Sequence, residues 1–226
     1  MPFSNYAELQ ELIEKYLEQE DVSGMVPDFI RLAEVRFRRE IRNTRMVATD
    51  KGDMNGDTIP FPPGFLEALE WRTDDGQFPT VMEYVPPKRF YQLNASKRLG
   101  RPSAYTVVGT SIVVAPDPGT WDTDPSSGET AFYTYAVDYY KELQALTSTN
   151  GSNWLLTFAP DLYLYGSLLE AEPYLVNDAR MATWEKLYER GRNSLTAADA
   201  RSRYRPGGVM RPESIARDGK NWGRRW

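Results

Sequence analysis

The sequence predicts an α+β fold in which helical segments at both ends flank a small inserted antiparallel β domain, followed by an extended C-terminal arm. Apolar residues recur at helical spacing near both ends, whereas Gly, Pro and short β-branched or aromatic runs fill the middle. The final stretch is basic and interrupted by Gly and Pro. We therefore expect N-terminal helices, an inserted β domain, C-terminal helices and an arm at residues 1–50, 51–150, 151–200 and 201–226.

The first 50 residues predict two helices. Asn5 and Glu8 have the spacing of a capping box, and apolar residues follow at helical spacing as far as Leu17. A second helix is expected around Pro27, because proline is tolerated in a first helical turn. Its apolar stripe comprises Val26, Phe29, Ile30, Ala33, Phe37 and Ile41.

The other faces of the second helix carry charges of both signs. The charged residues are Arg31, Glu34, Arg36, Arg38, Arg39, Glu40 and Arg42. Two interpretations remain open, a solvated face with ion pairs or a surface shared with a neighbouring subunit. The mixed signs argue against a stripe that binds phosphates.

Closely spaced Gly and Pro residues follow Asp50 and end the helical pattern. Gly109 and Thr110 indicate a tight hairpin, and the run from Pro87 to Leu93 predicts a short helix against a sheet. We expect the aromatic residues of this region to pack across strands. Runs rich in β-branched and aromatic residues predict antiparallel strands of one small sheet at 69–73, 80–85, 104–108, 111–115 and 130–137.

Helical spacing returns after Asn150, and Pro160 is expected in the first turn of the next helix. This helix is apolar on most sides, so we expect it to be buried within its domain or against another subunit. Pro173 predicts a kink or break near Glu172. One side of the helix carries Leu162, Tyr165, Leu168, Leu169 and Leu175, and small residues that permit close approach by a neighbour are Gly166, Ser167 and Ala171.

A last helix is expected to begin near Asn177 or Asp178, either of which can act as an N-cap. Its apolar residues are Met181, Trp184, Leu187, Tyr188 and Leu195. Pro206, Gly207 and Gly208 are expected to end the ordered structure.

The composition argues against an enzyme, because the chain contains no His and no Cys. These absences exclude Ser-His-Asp and Cys-His catalytic sites and leave carboxylate, Lys or Tyr chemistry. A carboxylate-based glycosidase remains a distant alternative, since no carboxylate pair can be chosen among 32 acidic residues without geometry. We predict no catalytic residues, no metal site and no cofactor.

The loop from Pro116 to Glu129 concentrates Asp117, Asp122 and Asp124. Hard cations prefer oxygen ligands, but Pro125 interrupts the spacing that a calcium loop requires. We predict a hairpin tip or interaction loop, with a cation site as the alternative.

No apolar run reaches the roughly 20 residues needed to cross a bilayer, so no membrane contact is expected.

The segment from Arg201 to Trp226 differs in charge from the rest of the chain. It contains eight basic and two acidic residues, a net charge of +6, whereas residues 1–200 carry −11 of a total of −5. A basic segment with aromatic anchors indicates binding to a partner, and a solvated frayed terminus is the alternative. The residues expected to make the contact are Tyr204, Arg205, Arg211, Arg217, Trp222, Arg224, Arg225 and Trp226.

Two segments carry a family resemblance: VPDFIRLAEVRFRREIR at Val26 to Arg42, and APDLYLYGSLLEAEPYLVNDARMATWEKLYERG at Ala159 to Gly191. They resemble the head-to-tail adaptor proteins of tailed bacteriophages, also called connector or tail tubular A-like proteins. The segments from Ile59 to Trp71 and from Gly100 to Gly119 fit the same layout. The resemblance covers residues 6–200 and consists of packing residues, so it says nothing about catalysis.

The resemblance implies a helical bundle with an inserted β domain, and a ring, usually of twelve subunits, beneath the portal. Such a ring extends the DNA channel, and DNA passes through it without sequence-specific binding. The resemblance further implies that Tyr204 to Trp226 grip the portal while the opposite face receives the tail nozzle or tail tube. The protein would then lie in the neck of the virion, after assembly in the host cytoplasm.

We expect subunit or bundle contacts from a further set of residues. They are Phe29, Arg36, Arg39, Tyr165 and Trp184. The alternative function is a DNA-binding or packaging accessory protein that uses the basic C-terminal tail.

Overall fold

The structure is a computed structural model that describes residues 3–18, 20–74, 78–96, 98–119, 121–124, 129–131, 133–175 and 178–203. The α+β fold is confirmed. The helices are α1 Tyr6–Leu17, α2 Val26–Glu40, α3 Pro87–Leu93, α4 Trp154–Phe158, α5 Pro160–Leu175 and α6 Asp178–Arg203. The strands are β1 Val47–Asp53, β2 Thr58–Pro60, β3 Phe65–Asp74, β4 Thr80–Val81, β5 Glu83–Tyr84, β6 Ala104–Val108, β7 Ser111–Ala115, β8 Trp121–Asp124, β9 Glu129–Ala131 and β10 Thr134–Lys141.

Helix α1 begins at the predicted cap. The side-chain oxygen of Asn5 accepts a hydrogen bond from the backbone N–H of Glu8 at 2.9 Å. The Glu8 carboxylate accepts in return from the backbone N–H of Ser4 at 2.8 Å, one residue earlier than in a standard capping box. The helix ends at Glu18, which has a left-handed backbone with φ of 54°.

Helix α2 confirms the predicted apolar stripe, since all six of its residues are buried. Phe37 packs edge to face on Tyr163 of α5, with the ring centroids 5.1 Å apart. At Gly166 of α5, an added Cβ would lie 3.1 Å from the Phe37 ring. The small residue therefore lets α2 approach α5 closely, as predicted.

Helix α5 is buried on nearly all sides, because it packs against α1, α2, α4 and α6. Burial extends to Leu162, Tyr163 and Leu164, which point in different directions around the helix. The predicted break near Glu172 is wrong, since α5 continues through Pro173 to Leu175. Pro173 lies in the last turn, where only one intrahelical hydrogen bond depends on its missing N–H.

The β region forms two four-stranded sheets and a two-stranded hairpin, so the expectation of one small sheet is wrong. The strand orders are β1-β10-β3-β4 and β2-β7-β6-β5. Pairing is antiparallel except between β5 and β6, which are parallel. Strands β1, β2 and β8 were not predicted, and β1 begins at Val47, ahead of the expected boundary at residue 51.

The two larger sheets pack face to face as a sandwich with its own core. The Trp71 ring of β3 packs against Tyr105 of β6 in the other sheet, with the centroids 6.2 Å apart. It also packs against Tyr135 of the neighbouring strand β10 at 5.9 Å, so the expected aromatic packing across strands is confirmed for this pair. The hairpin at Gly109, with φ of 60°, and helix α3 are confirmed. Buried core residues of the sandwich are Met54, Ile59, Trp71, Met82, Ile112, Val114, Val137 and Tyr139.

We expect Gly166→Leu to destabilise the bundle by about 1–3 kcal/mol, because an enlarged side chain must displace Phe37 or separate α2 from α5. Chemical denaturation monitored by circular dichroism measures the loss. Gly24→Leu is the matched control, since nothing lies within 4 Å of a Cβ added there. Equal losses in the two variants would contradict the proposed close packing at Gly166.

Candidate interaction surfaces

The charged residues of α2 connect it to the C-terminal helices. The Arg36 guanidinium pairs with Glu170 of α5 at 2.7 Å and lies 5.6 Å from the ring centroid of Tyr188 in α6. Glu40 accepts hydrogen bonds from the Tyr188 hydroxyl at 3.0 Å and from Arg192 at 3.1 Å. Burial raises the pKa of Tyr188, and the neighbouring Glu40 raises it further, so the hydroxyl remains a donor.

The C-terminal end of α2 is joined to the β region. Arg38 pairs with Glu142, just after β10, and Arg42 pairs with Glu67 of β3 at 3.1 Å. Arg42 also donates to the carbonyl oxygen of Arg38 at 2.9 Å, one of the last acceptors of the helix. The predicted solvated face therefore contains ion pairs that orient the helix within one chain.

Four of the five residues expected in a subunit interface or bundle lie against the bundle. Phe29 is buried and contacts the Tyr174 ring, and the rings of Tyr165 and Trp184 stack with centroids 5.9 Å apart. The fifth, Arg39, is exposed and donates to the carbonyl oxygen of Val35 in its own helix.

Trp184 is held by a buried carboxylate. Its indole N–H donates to Glu172 Oε1 at 2.8 Å, and Arg180 lies 3.7 Å from the same oxygen. The Glu172 side chain is completely buried. The bond between Trp184 and Glu172 therefore fixes α6 on α5 at the start of the last helix.

The C-terminal end of α6 is anchored where the bundle meets the β region. Asp199 Oδ1 accepts from the backbone N–H of Thr44 at 2.9 Å, and Asp199 Oδ2 pairs with Arg203 at 2.7 Å. Arg203 also donates to the Thr44 hydroxyl at 3.1 Å and to the Tyr140 hydroxyl of β10 at 3.3 Å. Four residues from three parts of the chain thus hold the final helical turn.

Hydrogen bonding controls the ionisation of Asp199. Burial alone would raise its pKa, but the Thr44 donors and the Arg203 charge hold the pKa below the ordinary value of 3.8. Sequence reasoning missed this site, because Asp199 and Thr44 are 155 residues apart and no local pattern links them.

This anchor corrects the predicted start of the C-terminal arm. Arg201 and Arg203 belong to α6, so residues 201–203 are helical and not extended. The eight predicted contact residues from Tyr204 to Trp226, and the predicted stop at Pro206, lie outside the described residues.

A small groove of about 250 Å³ opens beside the anchor. The Arg45 guanidinium lies 4.4 Å from the ring centroid of Phe158 along this groove. Phe158 is half exposed, and the Arg45 guanidinium already covers one face of its ring in a cation–π contact. The lining residues are Asn43, Thr44, Arg45, Phe158, Ala198, Asp199 and Ser202.

A larger groove of about 640 Å³ lies between α1, α2 and the loop before α4. Glu34 at its wall accepts from the backbone N–H of Leu146 at 2.8 Å and from the Tyr163 hydroxyl at 3.1 Å. Burial raises the pKa of Glu34 above its ordinary value of 4.5, although these hydrogen bonds oppose the shift. Because Glu34 Oε1 accepts from both the loop and α5, Glu34 stabilises the fold here.

The acidic loop forms a hairpin, in agreement with the favoured interpretation. Strands β8 and β9 pair antiparallel, and the tip between them lies outside the described residues. Asp117 accepts from the backbone N–H of Gly119 at 3.0 Å. Within the described ranges, no three acidic side chains gather as they would around a metal ion, and no helix is long and apolar enough to cross a membrane.

We expect Asp199→Ala to destabilise the protein by about 1–3 kcal/mol at pH 7, because it removes the part-buried hydrogen bond from the Thr44 N–H to a charged acceptor. The folded pKa of Asp199 lies below 3.8, so its stabilisation is complete above pH 3.8 and decreases as the pH falls further. The stability difference between wild type and variant should therefore shrink below about pH 4.

Denaturant titrations at several pH values measure that difference. Glu189→Ala in α6, an exposed position, is the control and should show no comparable pH dependence. A difference that stays constant from pH 7 to pH 3 would refute the electrostatic role of Asp199.

A family model described as SU10 adaptor protein matches residues 4–212, from the cap of α1 to nine residues beyond the end of α6. No curated protein matched the chain. Because the family model covers most of the 226 residues, the chain belongs to the SU10 adaptor protein family, a family of structural phage adaptors.

Proposed function

We propose that this phage adaptor forms a ring, of twelve subunits, that connects the portal to the tail nozzle or tail tube and surrounds the DNA path. The observation that carries the proposal is the family match over residues 4–212, which spans both helical segments, the sandwich and the beginning of the arm. Its location would be the virion neck, after assembly in the host cytoplasm. Its activity would be assembly without catalytic turnover.

The charge distribution supports a role around DNA. Residues 1–200 carry a net charge of −11, which repels phosphates and would allow DNA to pass without binding to the wall. Many arginines of the bundle are already paired with carboxylates, as Arg36 is with Glu170. A DNA-binding or packaging accessory protein, the alternative, would depend on the +6 of the C-terminal segment.

The anchor of α6 supports the portal-binding role of the arm. Asp199 and Arg203 fix the last helical turn to Thr44 and Tyr140, so the chain leaves the body from a defined position. A fixed origin reduces the conformational entropy that the arm loses on binding. Trp and Arg are the side chains most often responsible for binding energy in protein interfaces, and Trp222 to Trp226 contain four of them.

Deletion of residues 204–226 should abolish binding to the portal while the body keeps its stability, because the deletion spares Arg203 and its anchor. Trp222→Ala with Trp226→Ala should weaken binding roughly 30-fold or more if these residues supply at least 2 kcal/mol. Surface plasmon resonance with immobilised portal measures the affinity. Normal portal binding by the chain that lacks residues 204–226 would contradict the proposal that the arm binds the portal.

The control in the arm is Ser214→Ala with Asn221→Ala, which removes neither a charge nor an aromatic ring. The alternative function is tested by titrating the full chain with duplex DNA at several salt concentrations. Weak binding without a salt dependence agrees with the adaptor, whereas affinity that falls steeply with salt and is lost on deletion of the arm favours the DNA-binding alternative.

A further inference from the structure

Among the residues that the structure describes, each sheet of the sandwich ends on both sides in an edge strand, and each side carries one edge strand from each sheet. Strands β4 and β5 are edge strands separated by a single residue, Met82, so they line the same side. Strands β1 and β2 are the opposite edges and lie four residues apart in sequence. Edge strands have backbone N–H and C=O groups without ladder partners, so both sides offer hydrogen bonds to another chain.

Residues 78–99, which include β4, β5 and the following helix α3 and are here called the apolar edge, expose a concentration of large apolar side chains. Seven such side chains in the described part of the protein are at least 51% exposed, and six of them lie in residues 78–99. Scattered apolar residues are normal on a surface, but a concentrated patch indicates a binding site. The six are Phe78, Val81, Tyr84, Tyr91, Leu93 and Leu99.

The two sides also have opposite charges. Residues 78–99 contain four basic residues and one acidic residue, although the body as a whole is acidic. Lys88, Arg89 and Arg98 are exposed there, and none forms a salt bridge with the described residues. Residues 47–60, which contain β1 and β2, hold three acidic residues and one basic residue, with Asp53 exposed. We call this side the acidic edge.

We propose that the apolar edge of one copy docks on the acidic edge of a second copy. The observation that selects this occupant is that the complementary charge lies on the opposite edge of the same two sheets. Contact between two different surfaces of identical chains is heterologous, so each copy retains one free edge for the next copy, and the association forms a ring where the rotation between copies closes. The inference rests on the proposed function and names the contact that would build its ring.

Charge reversal on each side tests the contact in the full chain by sedimentation equilibrium. Lys88→Glu with Arg89→Glu makes both edges acidic, and Asp53→Lys with Asp57→Lys makes both edges basic. Each variant alone should self-associate roughly tenfold more weakly or worse, because like charges then face each other. An equimolar mixture should associate again, since every contact in an alternating assembly pairs opposite charges.

The control is Lys186→Glu with Arg190→Glu, which makes the same charge change on exposed positions of α6 and should leave association unchanged. The inference is overturned if the wild-type chain remains monomeric, if the control weakens association as much as the edge variants, or if the mixture fails to recover. Recovery in the mixture also shows that both variants are folded.

Portal binding separates this inference from the proposed function. If the chain binds portal but the charge-reversal variants self-associate as strongly as the wild type, only the proposed edge contact is wrong. If each charge-reversal variant alone associates more weakly and the mixture recovers, but the chain does not bind portal, the edge contact is supported and the proposed portal function is wrong.

Discussion

The burial of α5 is the constraint on which the rest of the structure depends. Helices α1 and α2 come from the first 40 residues, whereas α5 and α6 come from the last third, and all of them meet around α5. Closing this bundle brings the two ends of the β insertion together. Val47 of β1 is consequently paired with Tyr140 of β10, and Tyr140 itself is part of the bundle core. The bundle thus determines where the sandwich is attached.

The ion pairs of α2 have a different role from its apolar stripe. Partly exposed pairs such as Arg36 with Glu170 contribute about 0–1 kcal/mol each, so they add little to stability. Burial of a side chain such as Phe37 contributes roughly 1.5–3 kcal/mol through the hydrophobic effect. The ion pairs instead favour one orientation of α2, because Arg36 pairs with a carboxylate on α5 while Arg42 pairs with a carboxylate on β3.

Local patterns in the sequence predicted the parts of the fold whose contacts are local. The stripe of α2 repeats over four turns, and the hairpin of β6 and β7 follows from β-branched runs around Gly109. Strand β1 was missed because VATDKGD is an edge strand without apolar alternation, and its pairing with β10 joins residues 81 or more positions apart in sequence. The anchor at Asp199 joins residues 155 positions apart, and the order of the strands in the two sheets likewise depends on contacts that no local pattern encodes.

The net charge of the body implies that assembly depends on local complementarity. Copies that each carry excess negative charge repel one another at long range, but this repulsion is screened beyond about 8 Å at physiological salt. Direct contacts then decide whether copies associate, and the apolar edge is where exposed cations and apolar side chains occur together. The anchor at Tyr140 ties the end of α6 to β10, the neighbour of β1 in the same sheet. The end of α6 and strand β1 of the acidic edge are therefore held by one sheet, so in a ring built on this edge the end of α6 would have the same position relative to the contact in every copy.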